Sequence, residues 1–150
     1  MTADPKRSLS GRCLCGSVRF RLAGPFRDVV VCHCRQCAQW TGHAVAMTSV
    51  PPDRLTFEAG SDNLTWYAAS DVADRGFCPT CGSTLFWKPT DGSRVSVSAG
   101  ALDPPTGLKV GSHIYTADKS DYFEIAEGAS CFSQGSAAAL VVPASTAAKA

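Results

Sequence analysis

The chain has no excess of charge of either sign. Fourteen Lys and Arg stand against 13 Asp and Glu, a formal net charge of +1, and the basic residues are scattered from Lys6 to Lys149 without a run. A phosphate backbone is held through clustered positive charge, so nucleic acid is excluded as the main partner. Also missing is any unbroken apolar stretch near the roughly 18 residues of a helical membrane span, which excludes a membrane role of that kind. Met1 to Ser10 are polar and lack the apolar core of a signal peptide. The protein is therefore expected to be cytoplasmic, a compartment in which thiols stay reduced. At 150 residues the chain can bury one hydrophobic core but is short for two, so a single domain is expected.

Against these absences stand eight cysteines, seven of them in three tight clusters: Cys13-x-Cys15, Cys32-x-Cys34-x-x-Cys37 and Cys78-x-x-Cys81. Zinc takes four soft or borderline ligands at tetrahedral angles, and each short turn brings sulfurs close enough to share one ion. An even count of cysteines is also compatible with a disulfide scaffold. That reading is disfavoured, because such scaffolds belong to exported chains and residues two apart in an extended chain diverge from disulfide geometry.

The hydrophobic pattern runs mostly with period two. Val18, Phe20 and Leu22 alternate with Ser17, Arg19 and Arg21, as do Leu64, Trp66 and Ala68, and Val95 and Val97, with their own neighbours. These read as half-buried strands. Further strands are expected at Val29 to Val31, Ala44 to Val50, Leu55 to Phe57, Thr84 to Trp87 and His113 to Tyr115, separated by turn signals such as Gly24-Pro25, Pro51-Pro52 and Asp91-Gly92. Short strands at this spacing predict a mainly β domain, a sandwich or folded-over sheet. Only Arg35 to Trp40 reads as a helical turn. Residues 1–10 are expected to be a flexible N-terminal tail, 11–132 the zinc-binding domain, and 133–150 an Ala- and Ser-rich C-terminal tail.

Strand geometry limits which sulfurs can meet. Residues i and i+2 share a face, so Cys13 with Cys15, and Cys32 with Cys34, each present two sulfurs on one side, while His33 points the other way. Cys78-Pro79-Thr80-Cys81-Gly82 reads as a zinc knuckle that needs two more ligands. Cys13 and Cys15 can supply them, leaving Cys32, Cys34 and Cys37 as a compact trio with an open fourth position. Pairing the knuckle with part of the trio instead would strand Cys13 and Cys15 as a two-ligand remainder that binds zinc poorly. A closed site is structural and an open one does chemistry. Three thiolates on one zinc leave a formal charge of −1, a weak Lewis acid suited to a soft incoming thiolate. The expected chemistry is addition of a thiolate to an electrophilic carbon, or cleavage of a C–S bond.

Gly11 to Phe20, Val31-Cys32-His33-Cys34-Arg35-Gln36-Cys37 with Gly42, and Arg75-Gly76-Phe77-Cys78-Pro79-Thr80-Cys81-Gly82-Ser83 together resemble the glutathione-dependent formaldehyde-activating enzyme (GFA, or centromere protein V type) family. The resemblance runs from about Gly11 to Phe132. Gly100-Ala101-Leu102-Asp103 and His113-Ile114-Tyr115 with Asp121-Tyr122-Phe123-Glu124 fit it too, with Tyr122 where family members often carry Trp. It implies a β-tent fold of short antiparallel strands, and two zinc ions. Cys13, Cys15, Cys78 and Cys81 resemble the structural ligands, and Cys32, Cys34 and Cys37 the catalytic ones. The activity implied is that of a carbon–sulfur lyase joining glutathione reversibly to formaldehyde.

Around these clusters, Arg35 and Arg75 flank metal ligands and are candidates for holding a substrate carboxylate. Trp40, three residues beyond the trio, is the aromatic expected to line a pocket. Cys131 stands apart and is expected to be an ordinary thiol. The partners expected are a small-molecule thiol and a small aldehyde. The alternative function is a non-catalytic zinc-binding module or a thiol or metal sensor of the same fold.

Overall fold

The computed structural model describes Asp4 and residues 6–136. Ten strands run in chain order: β1 (Ser8–Arg12), β2 (Arg19–Ala23), β3 (Val29–Cys32), β4 (Val45–Val50), β5 (Leu55–Ala59), β6 (Thr65–Ser70), β7 (Ala73–Phe77), β8 (Thr84–Pro89), β9 (Val95–Ser98) and β10 (Val110–Ile114). One short helix, α1 (Arg35–Thr41), follows β3. The strands form a three-stranded sheet, β1-β2-β5, and a seven-stranded sheet, β10-β3-β4-β9-β8-β7-β6. The class is mainly β, as expected.

The period-two pattern positions the core. Val18, Phe20 and Leu22 all face inward from the small sheet and meet Val50, Leu85, Phe86 and Val97 of the large one. Phe20 and Phe86 meet edge to face at a centroid distance of 4.9 Å, a geometry worth about 0.5–1.5 kcal/mol beyond burial. Phe20 also sets the residue opposite it. A Cβ at Gly11, its register partner, would lie 2.5 Å from the Phe20 ring, so only glycine fits.

Three features differ from the sequence expectations. β1 begins at Ser8, inside the stretch expected to be a tail; its sequence SLSGR holds one apolar residue, Leu9, and is stabilised by the ladder to β2 rather than by its own pattern. β7, sequence ADRGF, lies between β6 and β8 although Asp74 and Arg75 break the apolar alternation. The sheet is not wholly antiparallel, since β10 pairs parallel to β3, a geometry requiring a long connection, here the intervening chain. Of the expected C-terminal tail, residues 133–136 are described: Ser133 and Gln134 carbonyls accept from the Ala117 and Tyr115 amides. The remainder, 137–150, lies outside the described residues.

Candidate functional site

Two turns with the same grammar face each other. In Cys13-Leu14-Cys15-Gly16-Ser17 the Gly16 amide donates to the Cys13 carbonyl at 3.1 Å, and in Cys78-Pro79-Thr80-Cys81-Gly82-Ser83 the Gly82 amide donates to the Cys78 carbonyl at 2.7 Å. Both glycines are left-handed, at φ 77° and 76°, a conformation that glycine adopts without steric cost. Each turn ends on a serine beside its cysteines: Ser17 Oγ lies 3.1 Å from Cys15 Sγ and Ser83 Oγ 3.2 Å from Cys81 Sγ. The Leu14 amide donates to Ser83 Oγ at 2.9 Å and links the turns.

All four sulfurs of these turns lie within 4.8 Å of one another. Cys13 and Cys15 are 3.5 Å apart, and Cys15 and Cys78 are 3.8 Å apart. Sulfurs sharing a tetrahedral zinc at about 2.3 Å would stand about 3.8 Å apart, so the donor set fits that ion. The Val18 amide donates to Cys13 Sγ at 3.3 Å, and Cys81 is pulled down to about 5, first by the Ser83 hydroxyl and then by the Cys15 amide. Donors aimed at sulfur favour the thiolate, the form a metal needs.

The second cluster, Cys32, Cys34 and Cys37, also has its sulfurs within 4.8 Å. Cys32 ends β3 and Cys34 is the N-cap of α1, its sulfur accepting the Cys37 amide at 3.3 Å. One helical turn then returns Cys37 to the same side. Gly42, at φ 79°, closes the helix by donating to the Ala38 carbonyl. The trio divides its protons unequally. Cys34 is drawn down to about 2 by hydrogen bonds from the Cys32 and Cys37 thiols, whereas Cys32, the donor to Cys34, is raised. All three are half-buried, and they sit in the wall of a cavity of about 580 Å³.

That cavity separates the expected substrate residues. Trp40 lines it, stacked on Tyr67 at 5.6 Å, with its indole N–H buried and without a partner. Arg75 lines it as well, 4% exposed, its Nη2 donating to Gln36 Oε1 at 2.7 Å. Arg35 is exposed and does not line it. The helix turns its neighbour Gln36 toward the cavity instead, where Gln36 Nε2 donates to the Ala69 carbonyl at 3.3 Å and holds the amide for Arg75. Sequence reasoning missed Gln36, Arg27, Arg94 and Tyr115, all in the cavity wall. Tyr115 offers one signal only after folding, its positive φ of 54°.

His33 points away from the trio, as strand alternation requires. Its ring is buried, Nε2 lies 2.9 Å from His113 Nδ1, and Phe123 stands edge-on at 4.7 Å. Burial lowers the His33 pKa, with His113, Lys119 and His43 adding to the effect. Cys131 is exposed and outside both clusters, bridging His113 through the backbone. Among the described residues no helix is long and apolar enough to cross a membrane.

Comparison with known proteins identifies the family. The chain is 26% identical over 123 residues to an uncharacterized lyase of Schizosaccharomyces pombe, covering 81% of this chain and 88% of that one. It is 30% identical over 132 residues to a putative glutathione-dependent formaldehyde-activating enzyme of Halomonas elongata, covering 78% and 80%. A crystal structure of a Rhodobacter sphaeroides protein superposes with a TM-score of 0.54 at 26% identity, over 65% of this chain and 91% of that one. The family model for the glutathione-dependent formaldehyde-activating enzyme matches residues 8–118. That match takes in both cysteine clusters and all ten strands, and the chain belongs to the glutathione-dependent formaldehyde-activating enzyme family.

Proposed function

We propose that the protein is a zinc-dependent carbon–sulfur lyase that joins a small thiol reversibly to formaldehyde or a related small aldehyde, glutathione being the first thiol to test. The observation carrying this reading is the placement of the three-cysteine cluster in the wall of a cavity while the four-cysteine cluster stands outside it. In this reading Cys13, Cys15, Cys78 and Cys81 hold a structural zinc, and Cys32, Cys34 and Cys37 hold a second. Zinc at the trio would supply an open position at which a substrate sulfur is held as thiolate.

The chain's own residues supply the rest. In the forward direction the sulfur electron pair forms the S–C bond and the C=O pair moves to oxygen, which takes a proton from solvent. Arg75 is positioned by Gln36 with Nη1 buried and unpartnered. It offers a preorganised donor where negative charge develops on that oxygen, an arrangement worth about 10²–10³ in rate when one such donor is removed. Trp40 and the apolar side chains of Val45, Met47 and Ile114 exclude water from the adduct. Eight cysteines without a disulfide suit a reducing, cytoplasmic setting.

The test is exchange spectroscopy by NMR on zinc-loaded protein with glutathione, cysteine and other cellular thiols in the presence of formaldehyde. Accelerated exchange of the S-hydroxymethyl adduct is expected, and Cys34→Ser should abolish it. No acceleration with any thiol would overturn the reading.

A further inference from the structure

The cavity beside the trio has an imbalance of hydrogen-bonding groups that the proposed reaction uses only in part, through Arg75. Five buried side-chain atoms in its wall have no partner: Arg27 Nη1, Trp40 Nε1, Ser70 Oγ, Arg75 Nη1 and Arg94 Nε. Four of them are N–H donors that cannot accept, so the group they await is an acceptor. Buried polar atoms in native proteins nearly always find a partner, and a cluster of orphans of one kind in one cavity marks an absent ligand.

Arg75 and Trp40 belong to the cysteine end. Arg27 and Arg94 do not. Arg27 is 6% exposed, and Nη2 donates to the Met47 carbonyl at 2.9 Å. Met47 is the register partner of Val30, and Cys32 pairs with Val45, two residues back along β4, or about 7 Å at the rise of a strand. Arg94 lies just before β9, its guanidinium over the Trp87 ring at 5.1 Å.

Among the described residues neither arginine has a carboxylate within ion-pair distance. Asp28, adjacent to Arg27, does not line the cavity and packs against Gly111. Asp91 lines the cavity edge and its charge reaches Arg94, but its Oδ1 accepts the Ser93 amide at 2.9 Å and it forms no ion pair. Burial, and then the charge of Arg94, lower the Arg27 pKa to about 10. Arg27, buried beside a second cation, has no ion-pair partner among the described residues, and an anion joining the two arginines would offset that repulsion.

We propose that Arg27 and Arg94 form a carboxylate subsite at the end of the cavity remote from the three cysteines. The thiol substrate accordingly carries a carboxylate several bonds from its sulfur. The second statement rests on the thiol reading above; the subsite itself does not. Planar guanidinium forks match a carboxylate better than any single ammonium would.

The experiment uses two readouts. By ¹H–¹⁵N NMR, hexanoate should shift the Arg94 and Arg27 Nε–H signals of the wild-type protein, and hexanol should not. By calorimetry on zinc-loaded protein, 6-mercaptohexanoate should bind about tenfold or more tightly than 6-mercaptohexanol, the range expected for a charge-assisted hydrogen bond. Mercaptoacetate, too short to span both ends, should gain no such advantage. Arg94→Gln, at a side chain that makes no hydrogen bond among the described residues and gives up its stacking on Trp87, should bring the acid-to-alcohol ratio near one. Arg27→Lys is the second variant, keeping charge while losing the fork, and should lower the ratio. Equal binding of acid and alcohol, with arginine signals unmoved by hexanoate, overturns the subsite. Arginine signals that move with hexanoate while no thiol binds or forms adduct would leave the subsite standing and bring down the lyase reading.

Discussion

The two cysteine clusters use the same sulfur chemistry and differ in how the chain reaches them. The four-cysteine cluster takes two sulfurs from the β1–β2 turn of the small sheet and two from the β7–β8 turn of the large sheet, with Cys15 and Cys78 63 positions apart. Anything that binds all four fastens one sheet to the other. The three-cysteine cluster takes its sulfurs from one strand end and one helical turn. It ties together a segment that local hydrogen bonds already order. The first bridges two sheets, with Cys13 alone of its cysteines bordering a separate cavity, and the second has all three cysteines in the wall of the cavity of about 580 Å³.

The sharpest way to break this comparison is to remove one sulfur from each cluster. Cys81→Ser should lower Tm by about 10 °C or more, because metal binding across two segments adds directly to folding free energy and each kcal/mol is worth about 2–4 °C in a domain of this size. Cys37→Ser should change Tm by only about 3 °C or less and remove one metal per chain. Scanning calorimetry with elemental analysis reads both. Equal losses of Tm would dissolve the distinction.

Acid should separate the clusters next. Cys81 has a folded-state pKa pulled from 9.0 to about 5. A depressed pKa gives stability that is present above the unfolded value and is lost as pH falls through the folded one, here between about 9 and about 5. Each cluster also holds a thiol pushed the other way, Cys15 in the first and Cys32 in the trio, so what separates them under acid is ligand count: a three-sulfur site has fewer sulfurs to lose to protons. Lowering pH stepwise should release the trio's metal first and the other at lower pH, followed with a chromophoric chelator. Simultaneous release would show the clusters to be equivalent.

The smallest effects come from the glycines that close each turn. Gly82 and Gly42 are both left-handed, and an added Cβ at either would meet nothing within 4 Å. Alanine therefore costs only the backbone conformation, about 1–2 kcal/mol. Gly82→Ala should lower Tm by a few degrees with both metals retained. Gly42→Ala, by fraying α1, should speed loss of the trio's metal to chelator with little change in Tm. The reverse pattern would exchange the roles of the clusters.

Much of this was legible in the chain. Cysteine spacing and strand alternation divide seven sulfurs into four and three and turn His33 away, because those consequences depend on residues a few positions apart. The period-two runs at Phe20 and Val97 announce the core faces. β1 and β7 were not legible, since SLSGR and ADRGF carry no apolar alternation and are held by their neighbours in the ladders. Nor could the sequence choose between Arg35 and Gln36: consecutive helical residues point about 100° apart, and only the docking of α1 decides which one meets the cavity. Local spacing determined which residues could share an ion. Tertiary structure alone decided that Arg27, Arg75 and Arg94, drawn from the start of β3, from β7 and from the approach to β9, would face one cavity, because a shared cavity depends on sheet order and packing that no short stretch of sequence encodes.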